Sequence, residues 1–156
     1  LDCRTDILTY TSGFLTEDLH IAGDIFVNVY CTADTSSFDL SAVLSEVRKD
    51  GDIYNFTQGY IKVVDNNLPV KICLQPTCMK IEKGNAIRLS LSAACFPAYL
   101  INPGIDKSPG EVRLIDAKII TITVSSGKND PSIISLSKLT SSQRSPTGEG
   151  KSSANI

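Results

Sequence analysis

A chain of 156 residues, 42% hydrophobic and 21% charged, is sized for one domain that buries its own core without a metal or disulfide framework. Its net charge of −2 supplies no electrostatic basis for a nucleic-acid partner or an anionic membrane surface. The longest charge-free stretch, residues 89–105, is interrupted by Pro97 and Pro103 and alternates small polar with apolar residues, so it does not read as a membrane helix.

In chain order, a single helical turn is expected around Thr16, Glu17 and Asp18, and Ala22, Gly23 and Asp24 form the first turn signal. Ile25, Val27, Val29 and Cys31 then share one face of a strand whose other face carries Phe26, Asn28 and Tyr30. Phe38, Leu40, Ala42 and Leu44 alternate against Asp39, Ser41 and Ser45 in the next. A hairpin follows at Lys49, Asp50, Gly51 and Asp52, because a tight turn needs positive φ angles that Asp and Gly tolerate. After a turn at Asp65, Asn66 and Asn67, Val70, Ile72 and Leu74 predict a short strand stopped by Pro76. Lys83, Gly84 and Asn85 turn the chain into the cleanest half-buried pattern, Ile87, Leu89, Leu91, Ala93 and Cys95 against Arg88, Ser90, Ser92 and Ala94. Asn102, Pro103 and Gly104 are a further turn, and a long strand is expected from near Val112 to Ile120, Ile122 and Val124. Many short strands with turns at this spacing predict an all-β sandwich or barrel over residues 1–139. Residues 140–156, rich in Ser, Gly, Thr and Lys, have almost nothing apolar to bury and predict a disordered tail.

Five cysteines, at 3, 31, 73, 78 and 95, are an odd number without a C-x-x-C spacing. Cys31, Cys73 and Cys95 sit in apolar strand patterns, where a free thiol packs as a small hydrophobe, and a cytoplasmic, reducing compartment fits that use. Cys73 and Cys78 are five residues apart, which puts them on opposite faces of a continuous strand and argues against a shared metal. Asp50 and Asp52 flank a glycine without the remaining ligands of a calcium loop, so no metal or other cofactor is expected. Asn55, Phe56 and Thr57 form a glycosylation sequon, which matters only for a secreted eukaryotic chain. Triad chemistry needs a base beside a nucleophile. The single histidine, His20, stands between Leu19 and Ile21 with no G-x-S-x-G elbow in the chain, so no catalytic residue is assigned.

Several ordered segments carry a resemblance. Residues 6–12 (Asp-Ile-Leu-Thr-Tyr-Thr-Ser), 15–19 (Leu-Thr-Glu-Asp-Leu) and 21–23 (Ile-Ala-Gly) resemble the opening of the C-terminal domain of X-prolyl dipeptidyl peptidases and cocaine-esterase-type hydrolases. Residues 37–44 with Asp50 and Gly51 are similar to that family's second long strand and hairpin. Residues 81–89 are similar to its lysine-glycine turn and following strand, and Phe96, Pro97, Asn102 and Pro103 to the next loop. The resemblance covers residues 2–125. It implies a galactose-binding-like jelly roll, lacking the Ser-Asp-His triad and packed on an α/β-hydrolase domain of the same polypeptide, whose relatives cleave X-prolyl peptides or esters. The chain begins at Leu1 rather than Met, which reads as a processed product or a fragment. Where the family usually has arginine and other charges after Phe-Pro, this chain has Ala98, Tyr99, Leu100 and Ile101, so the loop is expected either to dock by apolar burial or to expose a sticky patch in the isolated domain. Phe96, Pro97, Tyr99 and Asn102 are the candidate contacts. A carbohydrate-binding module and a homo-oligomerisation domain are the alternatives. The five tyrosines, Tyr10, Tyr30, Tyr54, Tyr60 and Tyr99, are expected mainly at the core edge.

Overall fold

A computed structural model describes residues 5–64, 68–105, 107, 109–128, 130–138 and 152–155. Period-two patterning becomes two four-stranded antiparallel sheets. The first has the order β1 (Ile7–Thr11), β7 (Ala86–Ser92), β4 (Ser37–Val47), β5 (Ile53–Val64). The second has the order β10 (Ser152–Asn155), β9 (Ile133–Lys138), β2 (Leu19–Val29), β6 (Val70–Ile81). A two-stranded piece, β3 (Cys31–Ala33) with β8 (Ile122–Val124), extends one end. The described residues contain no α-helix, so the domain is an all-β sandwich.

β4 is one of the two inner strands of the first sheet. Phe38, Leu40, Ala42 and Leu44 form one buried cluster with Ile25, Val27 and Val29 of β2, Ile72 and Leu74 of β6, and Leu89 and Leu91 of β7. The edges β5 and β6 close one side of the sandwich. Thr57 Oγ1 donates to the Gln75 carbonyl at 2.6 Å, and a methyl group on Gly59 would run into the Cys73 carbonyl and the Leu74 side chain. Only glycine lets the two backbones approach so closely.

Several sequence expectations are corrected. Gly23 does not end a strand: β2 runs through it, with Gly23 at φ 105° beside a register shift against β6. Nor does Pro76 stop β6. It occupies that shift on an edge strand, where a missing N–H removes no ladder bond. The long strand expected from Val112 is only the three residues of β8, preceded by two 3-10 turns, Pro109–Glu111 and Leu114–Asp116. In the second turn Asp116 N donates to the Arg113 carbonyl at 2.9 Å, and the two side chains pair at 2.9 Å, a local closure that competes with extension. β7 ends at Ser92, short of Ala93 and Cys95.

Among the described residues four cysteines are free: Cys31 is buried, Cys95 partly exposed, Cys73 and Cys78 exposed. Cys73 could not be buried, because strand alternation turns it away from the face shared by Ile72 and Leu74. Burial pushes the Cys31 thiol pKa above its ordinary value. Cys3 and the turn at Asp65, Asn66 and Asn67 lie outside the described residues. So does most of the region beyond 139, of which Ser152–Asn155 pairs antiparallel with β9.

Candidate docking face

The segment between β7 and the first 3-10 turn is fastened to the outer face of the first sheet. Tyr99 N donates to the Cys95 carbonyl at 3.0 Å, which curls the segment back. The Tyr99 ring then stacks on Tyr60 of β5, centroids 3.8 Å apart and planes 3° from parallel. Asn102 Nδ2 donates to Asp39 Oδ1 of β4 at 3.3 Å and reaches Ser37 Oγ at 3.5 Å, while its Oδ1 accepts from Gly104 N at 3.0 Å.

These tethers converge on a buried charge. Asp39 is 4% exposed, and a carboxylate there requires donors. The Asn102 amide and the Tyr60 hydroxyl supply them. Burial first, and then the hydrogen bond to Asp39, push the Tyr60 phenol pKa well above its ordinary value. Beside the tyrosine pair an open cavity of about 220 Å³ is lined by Ser41, Gln58, Gly59, Gln75 and Cys95 among others.

The structure separates the four sequence candidates into two kinds. Tyr99 and Asn102 turn inward as tethers, although Tyr99 stays partly exposed. Phe96, 68% exposed, and Pro97 project outward, together with Leu100 and Ile101. Two further exposed residues, Ile115 and Ile119, were hidden from sequence reading because their segment looked like the start of a half-buried strand. A detectable signal was present in Arg113 and Asp116, a three-residue spacing that suits a turn.

The remaining motifs resolve into ordinary surface chemistry. Asp50 Oδ1 accepts from Asp52 N at 3.0 Å across Gly51, at φ 93°. His20 is exposed in β2, opposite Lys80 of β6, whose ammonium pairs with Asp18 at 2.8 Å. Asn55 accepts from Ser45 Oγ at 2.7 Å and the Thr57 hydroxyl is engaged inside the sandwich, so both ends of the sequon have structural partners. Among the described residues no three His, Cys, Asp or Glu side chains gather where they could hold a metal ion, and no helix is long and apolar enough to cross a membrane.

A protein-family model, the X-Pro dipeptidyl-peptidase C-terminal non-catalytic domain, matches residues 2–135. The chain belongs to that family. Among solved structures, this C-terminal domain is similar to part of an aminopeptidase from the marine sediment archaeon Thaumarchaeota archaeon, at 18% identity and TM-score 0.78 over 88% of this chain and 26% of the other. An α-amino acid ester hydrolase matches at 22% identity and TM-score 0.79, again over 88% and 26%. A CocE/NonD family hydrolase from Staphylococcus aureus matches at 12% identity and TM-score 0.60, over 85% and 30%. No curated protein matches the chain. At these identities the likeness shows a common fold, and the C-terminal domain spans about a quarter of the length of the first two structures.

Proposed function

We propose that this C-terminal domain packs on the α/β-hydrolase domain of its own polypeptide and, by holding the loop of residues 93–105 in a fixed position, shapes access to the substrate pocket. The supporting observation is the combination of an outward apolar edge, Phe96, Leu100 and Ile101, with an inner edge tied to Asp39 and Tyr60. A loop fixed beforehand loses little conformational freedom on docking. Apolar side chains held in water gain by being covered. The parent chemistry that fits the family is acyl transfer through a serine ester, with every reacting group contributed by the other domain. A sugar-binding reading would want an open aromatic platform, and one face of Tyr99 is already taken by Tyr60.

The test uses the full-length polypeptide carrying Phe96→Ser or Leu100→Ser. With an X-prolyl or α-amino acid ester substrate, KM is expected to rise several-fold while kcat falls much less, the pattern of lost positioning rather than lost chemistry. Unchanged KM, together with an unchanged rate of proteolytic cutting between the domains, would remove the proposal.

A further inference from the structure

We infer that the docking face is built from two segments rather than one, and that Ile115 and Ile119 form its second half, seated against a largely apolar surface of the catalytic domain. The inference rests on the docking role proposed above for residues 93–105 and adds residues that neither the sequence nor the family description singles out.

Ile115 is 86% exposed and Ile119 94%, the two highest values among the large hydrophobic residues described. Isolated exposure would mean little, since folded surfaces carry many apolar atoms. Here the backbone beneath them is fixed. Lys118 N donates to the Pro103 carbonyl at 2.9 Å, and a Cβ on Gly104 would approach the Lys118 carbonyl to 2.6 Å, so the second segment runs in contact with the end of the first. Gly104 takes φ 70°, a conformation that glycine adopts freely. On its far side the segment is clamped to the loop after β3: Thr121 N donates to Asp34 Oδ1 at 3.0 Å and Asp34 N to the Thr121 carbonyl at 3.2 Å. Two apolar rows are therefore held side by side on a stiff support.

Charge narrows the partner. Arg113 and Asp116, the ions flanking Ile115, satisfy each other at 2.9 Å, whereas Lys118, beside Ile119, is exposed. A partner that meets this face needs apolar area, with an acidic group at most opposite Lys118, which suits a largely dry interface between parts of one polypeptide better than a weak encounter steered by ions. The occupant is the catalytic domain because the family is that of a C-terminal domain and the solved relatives are more than three times as long as this chain.

The experiment measures the rate of protease cutting at the junction between the two domains of the full-length protein, alongside hydrogen exchange of the amides of residues 112–120. Ile115→Ser and Ile119→Ser are each expected to speed cutting by about tenfold, one well-buried aliphatic side chain per variant, and to raise exchange in that segment. Both side chains are nearly free of contacts within the domain, so far-UV circular dichroism of the variants should match the parent and exclude misfolding. Phe14→Ser is the control. That residue is also apolar and largely exposed, but Leu15 N bonds to the Asn85 carbonyl at the other end of β7, and no change is expected. If Phe96→Ser loosens the junction while both isoleucine variants do not, the two-segment face is wrong and the single-loop reading stands. If none of the three has an effect, the docking role itself falls. Loss of a dimer in sedimentation, with the junction unaffected, would assign the face to a second copy and overturn the inference.

Discussion

Asp39 and Tyr60 make the loop's attachment sensitive to alkali rather than to neutral pH. The phenol's pKa is raised in the folded domain, so the stability it contributes is complete below its ordinary value of 10.0 and is lost as pH climbs from there through the raised value. An absorbance titration should show one tyrosine ionising well above the ordinary phenol range, and Tyr60→Phe should remove that late component. The acid limb has the opposite sign. Asp18 is held below its ordinary 3.8, first by the hydrogen bond from Lys80 and then by the N–H of Lys83. Its contribution is present above 3.8 and disappears as pH falls through the lowered value. Because the pair is exposed, Asp18→Asn should flatten this limb only slightly, and less so in high salt. Buried polarity matters more at Glu46, whose Oε1 accepts from Asn85 Nδ2 at 2.7 Å with both residues buried. Asn85→Ala is expected to cost about 1–3 kcal/mol, read by denaturant titration. None of these pairings was legible in the sequence, since each joins residues far apart along the chain: Asp39 with Tyr60 and Asn102, Glu46 with Asn85. Cys73, by contrast, was legible and misassigned, because the faces of Ile72 and Leu74 already fixed its own.

Strands were the readable level. Alternation located β4 and most of β7, and the Asp50-Gly51 signal located the hairpin that joins β4 to β5. What alternation cannot register is a shift in pairing. Gly23 and Pro76 both look like punctuation locally, yet they face the same irregularity, across which β2 and β6 continue for 11 and 12 residues. Cooperation between two neighbouring strands overrides the local signal. The seam between β5 and β6 offers the sharpest test at this level. Gly59→Ala inserts a methyl where the Cys73 carbonyl and Leu74 side chain already sit, and should cost about 1–3 kcal/mol, lowering the thermal midpoint by several degrees. Gly13→Ala is the matched comparison, since nothing lies within 4 Å of its added carbon.

At the scale of the molecule, the isolated domain is expected to show no esterase or aminopeptidase turnover, and His20→Ala should leave the parent enzyme's kcat unchanged; turnover by the domain alone, abolished in that variant, would contradict its assignment. The fold class was readable from composition and rhythm, whereas the proposed docking face was only half readable. Phe96 and its neighbours stood out as an apolar run beside prolines. Ile115 and Ile119 became conspicuous only when Pro103 and Lys118 brought their segment alongside. The two ends of the sandwich differ in kind. β4 carries 11 residues from Ser37, beside Asn102, to Val47, beside the Asp50-Gly51 hairpin, which separates the two ends by about 35 Å. The hairpin therefore offers a remote handle: a fluorophore or short epitope spliced in at Gly51 would ride on the opposite pole, reporting movement of the domain within the whole enzyme without intruding on whatever the loop face touches.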